Sequence, residues 1–211
     1  MDETSLRAEL AQQYHYLAEA GLTELASGNL SARLDDGMLI SPTGATGSDI
    51  AAADFVALDL DGEPRGDGRP SSEWPMHAAI YRAHSSAGAV VHTHSDHCVA
   101  LASHERPLPG FHYLVGTFGG TDVPCVPYST FGSQALASAA AEALRERNAC
   151  LLGRHGMISR GESIGQAVAL AHRLEIMCRQ YLLACQYGEP AVLTEVQWQD
   201  FFAQAAGYPL I

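Results

Sequence analysis

The run Val90-Val91-His92-Thr93-His94 constrains the fold of this chain more than any other. A short apolar, β-branched run reads as a buried strand, and in a strand the residues at i and i+2 stand on the same face. His92 and His94 therefore point the same way from the end of a strand. Two polar rings there need a compensating partner, and imidazole lone pairs suit a cation. Zinc takes at least three protein donors, so a third ligand has to come from another element. The best candidate is His155, in Leu151-Leu152-Gly153-Arg154-His155-Gly156, which follows a second apolar run and is flanked by glycines that allow a tight turn. Three neutral imidazoles would leave the metal its full charge.

The chain has ten histidines. His15, His77, His84, His104 and His172 sit in helical or loop patterns with no partner at ligand spacing and read as surface or hydrogen-bonded core residues. His97 and His112 are left open. The five cysteines lie in apolar segments without a Cys-x-x-Cys pair, and read as reduced core thiols.

With 211 residues, 47% of them hydrophobic, and no repeat or proline-rich linker, the chain is expected to be a single domain over residues 1–211. Met1-Asp2-Glu3-Thr4 has neither a basic nor an apolar leader-like region, and no stretch is apolar for long enough to span a bilayer, so a cytoplasmic location is expected. A net charge of -12 argues against nucleic acid and anionic membranes as partners. All 12 basic residues are arginine. The absence of lysine excludes Schiff-base catalysis, covalent pyridoxal phosphate and a Walker-type lysine, so carbonyl activation would have to use a metal.

Helical periodicity covers Leu6 to Ala20, Glu73 to Arg82, Asp96 to Ser103, Ser133 to Arg147, Ile164 to Tyr187 and Glu195 to Ala206. Strands are expected at Leu30 to Leu34 and Met38 to Ser41, joined at Asp35-Asp36-Gly37, then at Phe55 to Leu60 and Ala89 to His94. A β-rich stretch is expected from Phe111 to Pro127, and a strand pair around His155. This interleaving predicts an α/β fold of the α+β type, a mixed, mainly antiparallel sheet covered by helices.

Ser27-Gly28-Asn29, Ser41-Pro42-Thr43-Gly44 and Ser71-Ser72 are short polar loops at element ends. Backbone amides near glycines, with hydroxyls, cradle phosphate without lysine. Each loop alone is better explained as an ordinary turn or a helix cap, and Glu73 is open to the same kind of reading, as a carboxylate placed to suit a helix dipole.

These segments occur in order with Pro70-Ser71-Ser72-Glu73-Trp74, Val91-His92-Thr93-His94, Pro124-Cys125, Pro127-Tyr128, Thr130-Phe131-Gly132 and His155-Gly156. Together they resemble the class II aldolase/adducin family from the first helix to the final aromatic residues, closest to its L-fuculose-phosphate aldolase branch. The resemblance implies the fold of that family and a zinc ion held by His92, His94 and His155, with Glu73 beside it as acid/base. It implies phosphate binding by Gly28, Asn29, Thr43, Gly44, Ser71 and Ser72, and a four-fold cyclic homotetramer with active sites at subunit interfaces. Tyr113 from a neighbouring subunit is then the proton donor or acceptor at the aldehyde oxygen, and Tyr208 matches a tyrosine that closes over the site. The implied substrate is a phosphorylated sugar, cleaved to dihydroxyacetone phosphate and a small aldehyde. Epimerase, dehydratase and decarboxylase chemistry would use the same metal site, and an adducin-like interaction module would use the fold without it.

Overall fold

The turn at Asp35-Asp36 joins β1 (Asn29–Leu34) to β2 (Gly37–Ile40), and every residue of β2 is buried. The computed structural model describes residues 2–47 and 49–208. The remaining strands are β3 (Val56–Leu58), β4 (Ala89–Thr93), β5 (Cys125–Val126), β6 (Ala149–Leu152) and β7 (Gly156–Gly161). They form one seven-stranded sheet in the order β3-β2-β1-β4-β7-β6-β5. All its ladders are antiparallel except the one between β5 and β6. This is the mixed, mainly antiparallel sheet expected from the sequence.

Helices cover both faces of the sheet, because both faces of the central strands are apolar. Helices α1 (Glu3–Glu19), α3 (Asp96–Ala102), α5 (Ile164–Cys185) and α6 (Glu195–Ala205) contribute to one core. That core also takes Leu30, Ala89, Val91 and Met157 from the strands. Helices α2 (Trp74–Ala83) and α4 (Gln134–Ala143) pack on the other side, against Ile40, Val90, Cys150 and Ile158. Alternation along β4 thus sends Val91 to one core and Val90 to the other, and His92 follows Val90 to the α2 side. Along α5, Leu170, Leu174, Met177 and Cys178 recur at helical spacing and are all buried. The five cysteines are free thiols, as expected. Among the described residues, no helix is long and apolar enough to cross a membrane.

The stretch from Phe111 to Pro127 departs from the β-rich expectation. It contains a 3-10 helix, Tyr113–Phe118, and only the two-residue strand β5. The His112 ring caps that helix by accepting from Leu114 N at 3.1 Å, and the Thr117 hydroxyl donates back to Leu114 O at 2.7 Å. Gly116 also lets the turn lie against Phe201, whose ring would stand 2.3 Å from a Cβ at that position. Tertiary contacts with α6 override the local β preference. Elsewhere most limits shift by a residue or two; α1 begins three residues early, at Glu3, and α4 stops at Ala143, four residues short of Arg147. Strand β4 ends at Thr93, so His94 lies just beyond it.

Candidate metal centre

One end of the sheet collects several element ends. Asn29, the first residue of β1, pairs with His92 near the end of β4, and Thr93 pairs with Met157 near the start of β7. The β6–β7 turn brings His155 to the same place, and the start of α2 brings Glu73. Close backbone approach makes this possible. Gly28 has φ +84°, and a Cβ there would stand 2.8 Å from His92 O. A Cβ at Gly156 would stand 2.3 Å from Thr93 O.

His92 is wholly buried, and its Nδ1 lies 2.7 Å from the Met157 carbonyl oxygen. A carbonyl only accepts, so Nδ1 carries the proton, and in the neutral ring Nε2 is left with a lone pair. That Nε2 lies 2.9 Å from His94 Nε2 and 3.0 Å from Glu73 Oε2. His155 Nε2 lies 3.4 Å from Glu73 Oε1. The three imidazole centroids are each 4.8 Å apart, and their planes cross at 70–78°. Ligand atoms of all four residues lie within 4.8 Å of one another, the one such group among the described residues.

This donor set fits a divalent cation. Imidazole nitrogens from three rings and a carboxylate converge on one point, and these are donor types that a divalent cation takes. Glu73 Oε1 is buried with no hydrogen-bond partner among the described residues, which is costly for a carboxylate unless an ion satisfies it.

Glu73 occupies the N-cap position of α2, but its side chain makes no capping bond. The carboxylate turns to the histidines instead and accepts from Asn29 Nδ2 at 3.1 Å. Burial pushes its carboxyl up, but His92, His155 and the Asn29 amide outweigh that and hold it well below the usual carboxylate range. It is therefore an ionised base beside the three rings, and a helix-dipole role does not explain its direction.

The three polar loops are neighbours. Ser71 N donates to Ser41 O at 3.0 Å, and Thr43 N donates to Arg69 O at 3.0 Å. The Ser41 hydroxyl accepts from Leu30 N at 3.2 Å, and the Ser71 hydroxyl accepts from Glu73 N at 3.3 Å. Gly44, at φ +75°, turns the middle loop. The Thr43 and Ser71 amides are thus used within the protein, whereas Thr43, Gly44 and Ser72 are exposed.

A cleft of about 320 Å³ opens on the four-residue group, enough for a small molecule. Besides Glu73, His94 and His155, it is lined by Ser72, Tyr128, Ser129, Phe131 and Arg154. The last four received no role from the sequence. Arg154 stands at φ +54° and pairs through Nε with Glu105 Oε1 at 3.3 Å, and Glu105 itself stands at φ +51°. No sequence signal marks two non-glycine residues as left-handed. His97 and His112, left open from sequence, pair with Glu175 at 2.5 Å and cap the 3-10 helix respectively. His77 is a hydrogen-bonded core residue, but its partner is Asn29 beside Glu73.

Tyr113 and Tyr208 do not line this cleft. Both are exposed, and with Phe201, Gln204 and Ala205 they line a second one. Tyr113 stacks on His112 with ring centroids 4.6 Å apart.

Burial, reinforced by His92, holds the His94 and His155 imidazoles down to about 4, against an ordinary 6.5. Unfolding restores the ordinary value, so between these limits the unfolded chain binds protons that the folded chain does not. The stability contribution is whole above the unfolded value and is lost as pH falls through the window. For metal-free protein, the urea midpoint at about pH 5 should therefore lie below that at about pH 7.5. Equal midpoints would mean that the rings titrate freely in the folded state.

A family model described as Class II Aldolase and Adducin N-terminal domain matches residues 8–182. The L-fuculose phosphate aldolase of Haemophilus influenzae is 40% identical over 209 residues, covering 97% of each chain. A 5-methylthioribulose-1-phosphate/5-deoxyribulose-1-phosphate aldolase of Rhodospirillum rubrum is 41% identical over 189 residues, covering 90% of this chain and 86% of the relative. A solved L-fuculose 1-phosphate aldolase superimposes with a TM-score of 0.92 at 32% identity, covering 98% of each chain. With that fold and the histidine-glutamate group at the sheet's end, the chain belongs to the class II aldolase and adducin family and is one of its enzymes, a carbon–carbon lyase.

Proposed function

We propose that this enzyme is a zinc-dependent aldolase that reversibly cleaves the C3–C4 bond of a ketose 1-phosphate. The substrate is L-fuculose 1-phosphate or a related deoxyketose 1-phosphate, and the products are dihydroxyacetone phosphate and a small aldehyde such as L-lactaldehyde. The observation that carries this reading is the ionised Glu73 carboxylate, 3.0 Å from His92 and 3.4 Å from His155, beside a cleft rimmed by hydroxyl-bearing loops. Its relatives named as aldolases of fuculose, methylthioribulose and deoxyribulose phosphates support the substrate class.

His92, His94 and His155 hold the ion, which when bound supplies a Lewis acid where negative charge develops on the ketose oxygens. Gly28, Asn29, Thr43, Gly44, Ser71 and Ser72 hold the phosphate, the part that never reacts, and its binding energy orients the reacting carbons. Asn29 also steers Glu73. In cleavage Glu73 delivers a proton to C3, and in condensation it removes that proton. Tyr113 of the partner subunit takes the C4 hydroxyl proton as the bond breaks, within a four-fold homotetramer in the cytoplasm. Tyr208 closes over the aldehyde half. The separation of Tyr113 and Tyr208 from the metal group within one chain supports a shared site.

A coupled assay for dihydroxyacetone phosphate tests the reading on L-fuculose 1-phosphate, 5-deoxyribulose 1-phosphate and an unsubstituted pentulose 1-phosphate, each beside its unphosphorylated ketose. Release is expected from at least one deoxyketose 1-phosphate, with the unphosphorylated sugars far slower. No release from any of them by metal-loaded protein would overturn the proposed function.

A further inference from the structure

Behind the metal centre, a line of polar side chains runs through the core between β1 and α2. Asn29 Nδ2 donates to Glu73 Oε2 at 3.1 Å, and Asn29 Oδ1 lies 2.5 Å from His77 Nε2. His77 Nδ1 lies 2.7 Å from the Ser31 hydroxyl, which in turn lies 2.7 Å from the Tyr81 hydroxyl. His77 and Ser31 have no exposed surface at all. Arg33 closes the line, with its guanidinium 4.7 Å from the centroid of the Tyr81 ring.

The bond from Asn29 to Glu73 sets the direction of every link. Asn29 Nδ2 donates to the carboxylate oxygen, which leaves the Asn29 carbonyl oxygen facing His77. That oxygen only accepts, so His77 Nε2 carries the proton. Burial keeps the ring neutral, with its pKa down to about 3. Nδ1 is therefore bare and accepts from Ser31, whose oxygen accepts from Tyr81. Reversing any one bond would turn the Asn29 carbonyl onto the carboxylate.

We propose that His77 is a positioning residue for the reaction: held by Ser31 and Tyr81 in the Nε2-protonated form, it locks the Asn29 amide so that its NH2 aims the Glu73 carboxylate. The relay leaves the metal ligands themselves alone. A purely structural His77 would be satisfied by any buried partner, whereas this one faces a side chain that bonds the reacting base. The inference rests on the reading of Glu73 as the proton carrier at C3.

The test follows exchange of the C3 proton of dihydroxyacetone phosphate with deuterated solvent, using metal-loaded protein. His77→Asn keeps a polar group beside Ser31 but falls short of Asn29, and should slow exchange roughly tenfold or more at unchanged metal content. His77→Gln places an amide nitrogen where Nε2 stood and should recover most of that loss. In a Glu73→Gln background the side chain at 73 can accept or donate, so the orientation of Asn29 no longer matters and His77→Asn should cost nothing further. Independently of activity, 15N spectra of histidine-labelled protein should show the His77 ring protonated at Nε2, its signal identified by its loss in His77→Gln.

Equal losses on both backgrounds, wild-type exchange in His77→Asn, or an Nδ1-protonated ring would overturn the proposal. If His77→Asn does not fold, Ser31→Ala removes the donor to Nδ1 instead. It should slow exchange several-fold with Glu73 present and have no such effect in the Glu73→Gln background, and an equal loss on both would overturn the proposal. Absence of exchange in the loaded wild type would count against the aldolase reading itself, while the protonation state of His77 would still decide the relay.

Discussion

Glu73→Gln should lower the cleavage rate on the order of 10²-fold or more, the usual cost of removing a general acid/base group. The fold should survive, because Glu73 makes no capping bond at the start of α2 and a glutamine can still accept from Asn29. Cleavage alone would not separate a lost proton carrier from a disturbed metal centre. Exchange at C3 of dihydroxyacetone phosphate isolates the step, since it needs no aldehyde and no Tyr113. Exchange should fall as far as cleavage does, with metal content retained. Undiminished exchange would assign the C3 proton to another group.

Tyr113→Phe should produce a comparable loss with the opposite signature. The phenyl ring preserves the packing on His112 and Phe201, so assembly and stability should change little, while the hydroxyl that serves the C4 oxygen is gone. Cleavage should fall strongly, with Glu73-dependent exchange largely retained. Mixing Tyr113→Phe with Glu73→Gln subunits then reports on the shared site. Some interfaces of a mixed ring combine an intact Glu73 with an intact neighbouring Tyr113, so part of the cleavage should return. No return despite demonstrated subunit exchange would place both residues in the same subunit's site and overturn the shared arrangement.

The features legible in the sequence were those fixed by short-range periodicity. A two-residue repeat gave β4 and the common side of His92 and His94, and a turn signal gave the β1–β2 hairpin. His155 was legible because apolar runs and glycines bracket it, and the resemblance of the ordered motifs joined it to the pair. The 3-10 helix at Tyr113–Phe118 was not legible, since its stability comes from α6, far along the chain. His77 carried the right class, a hydrogen-bonded core histidine, without its meaning. Nothing within α2 reveals that its partner on β1 is Asn29, and the sequence around Asn29 reads as phosphate-loop chemistry. Arg154 and Glu105 were invisible for a similar reason. Their left-handed backbone is imposed by the turns around them, and a sequence pattern would assign such positions to glycine or asparagine.

The proposed cleavage depends on an ion held by His92 in β4, His94 just beyond it and His155 in the β6–β7 turn. Metal analysis of purified wild type and His155→Ala, each paired with release of dihydroxyacetone phosphate, tests it most directly. Wild type should carry about one divalent ion per chain, as a single three-histidine site requires. His155→Ala should lose most of the metal and, with it, the cleavage, while circular dichroism shows the fold intact because the sheet and helices have their own cores. Full metal occupancy with full cleavage in His155→Ala would mean that the three-histidine site does not hold the catalytic ion.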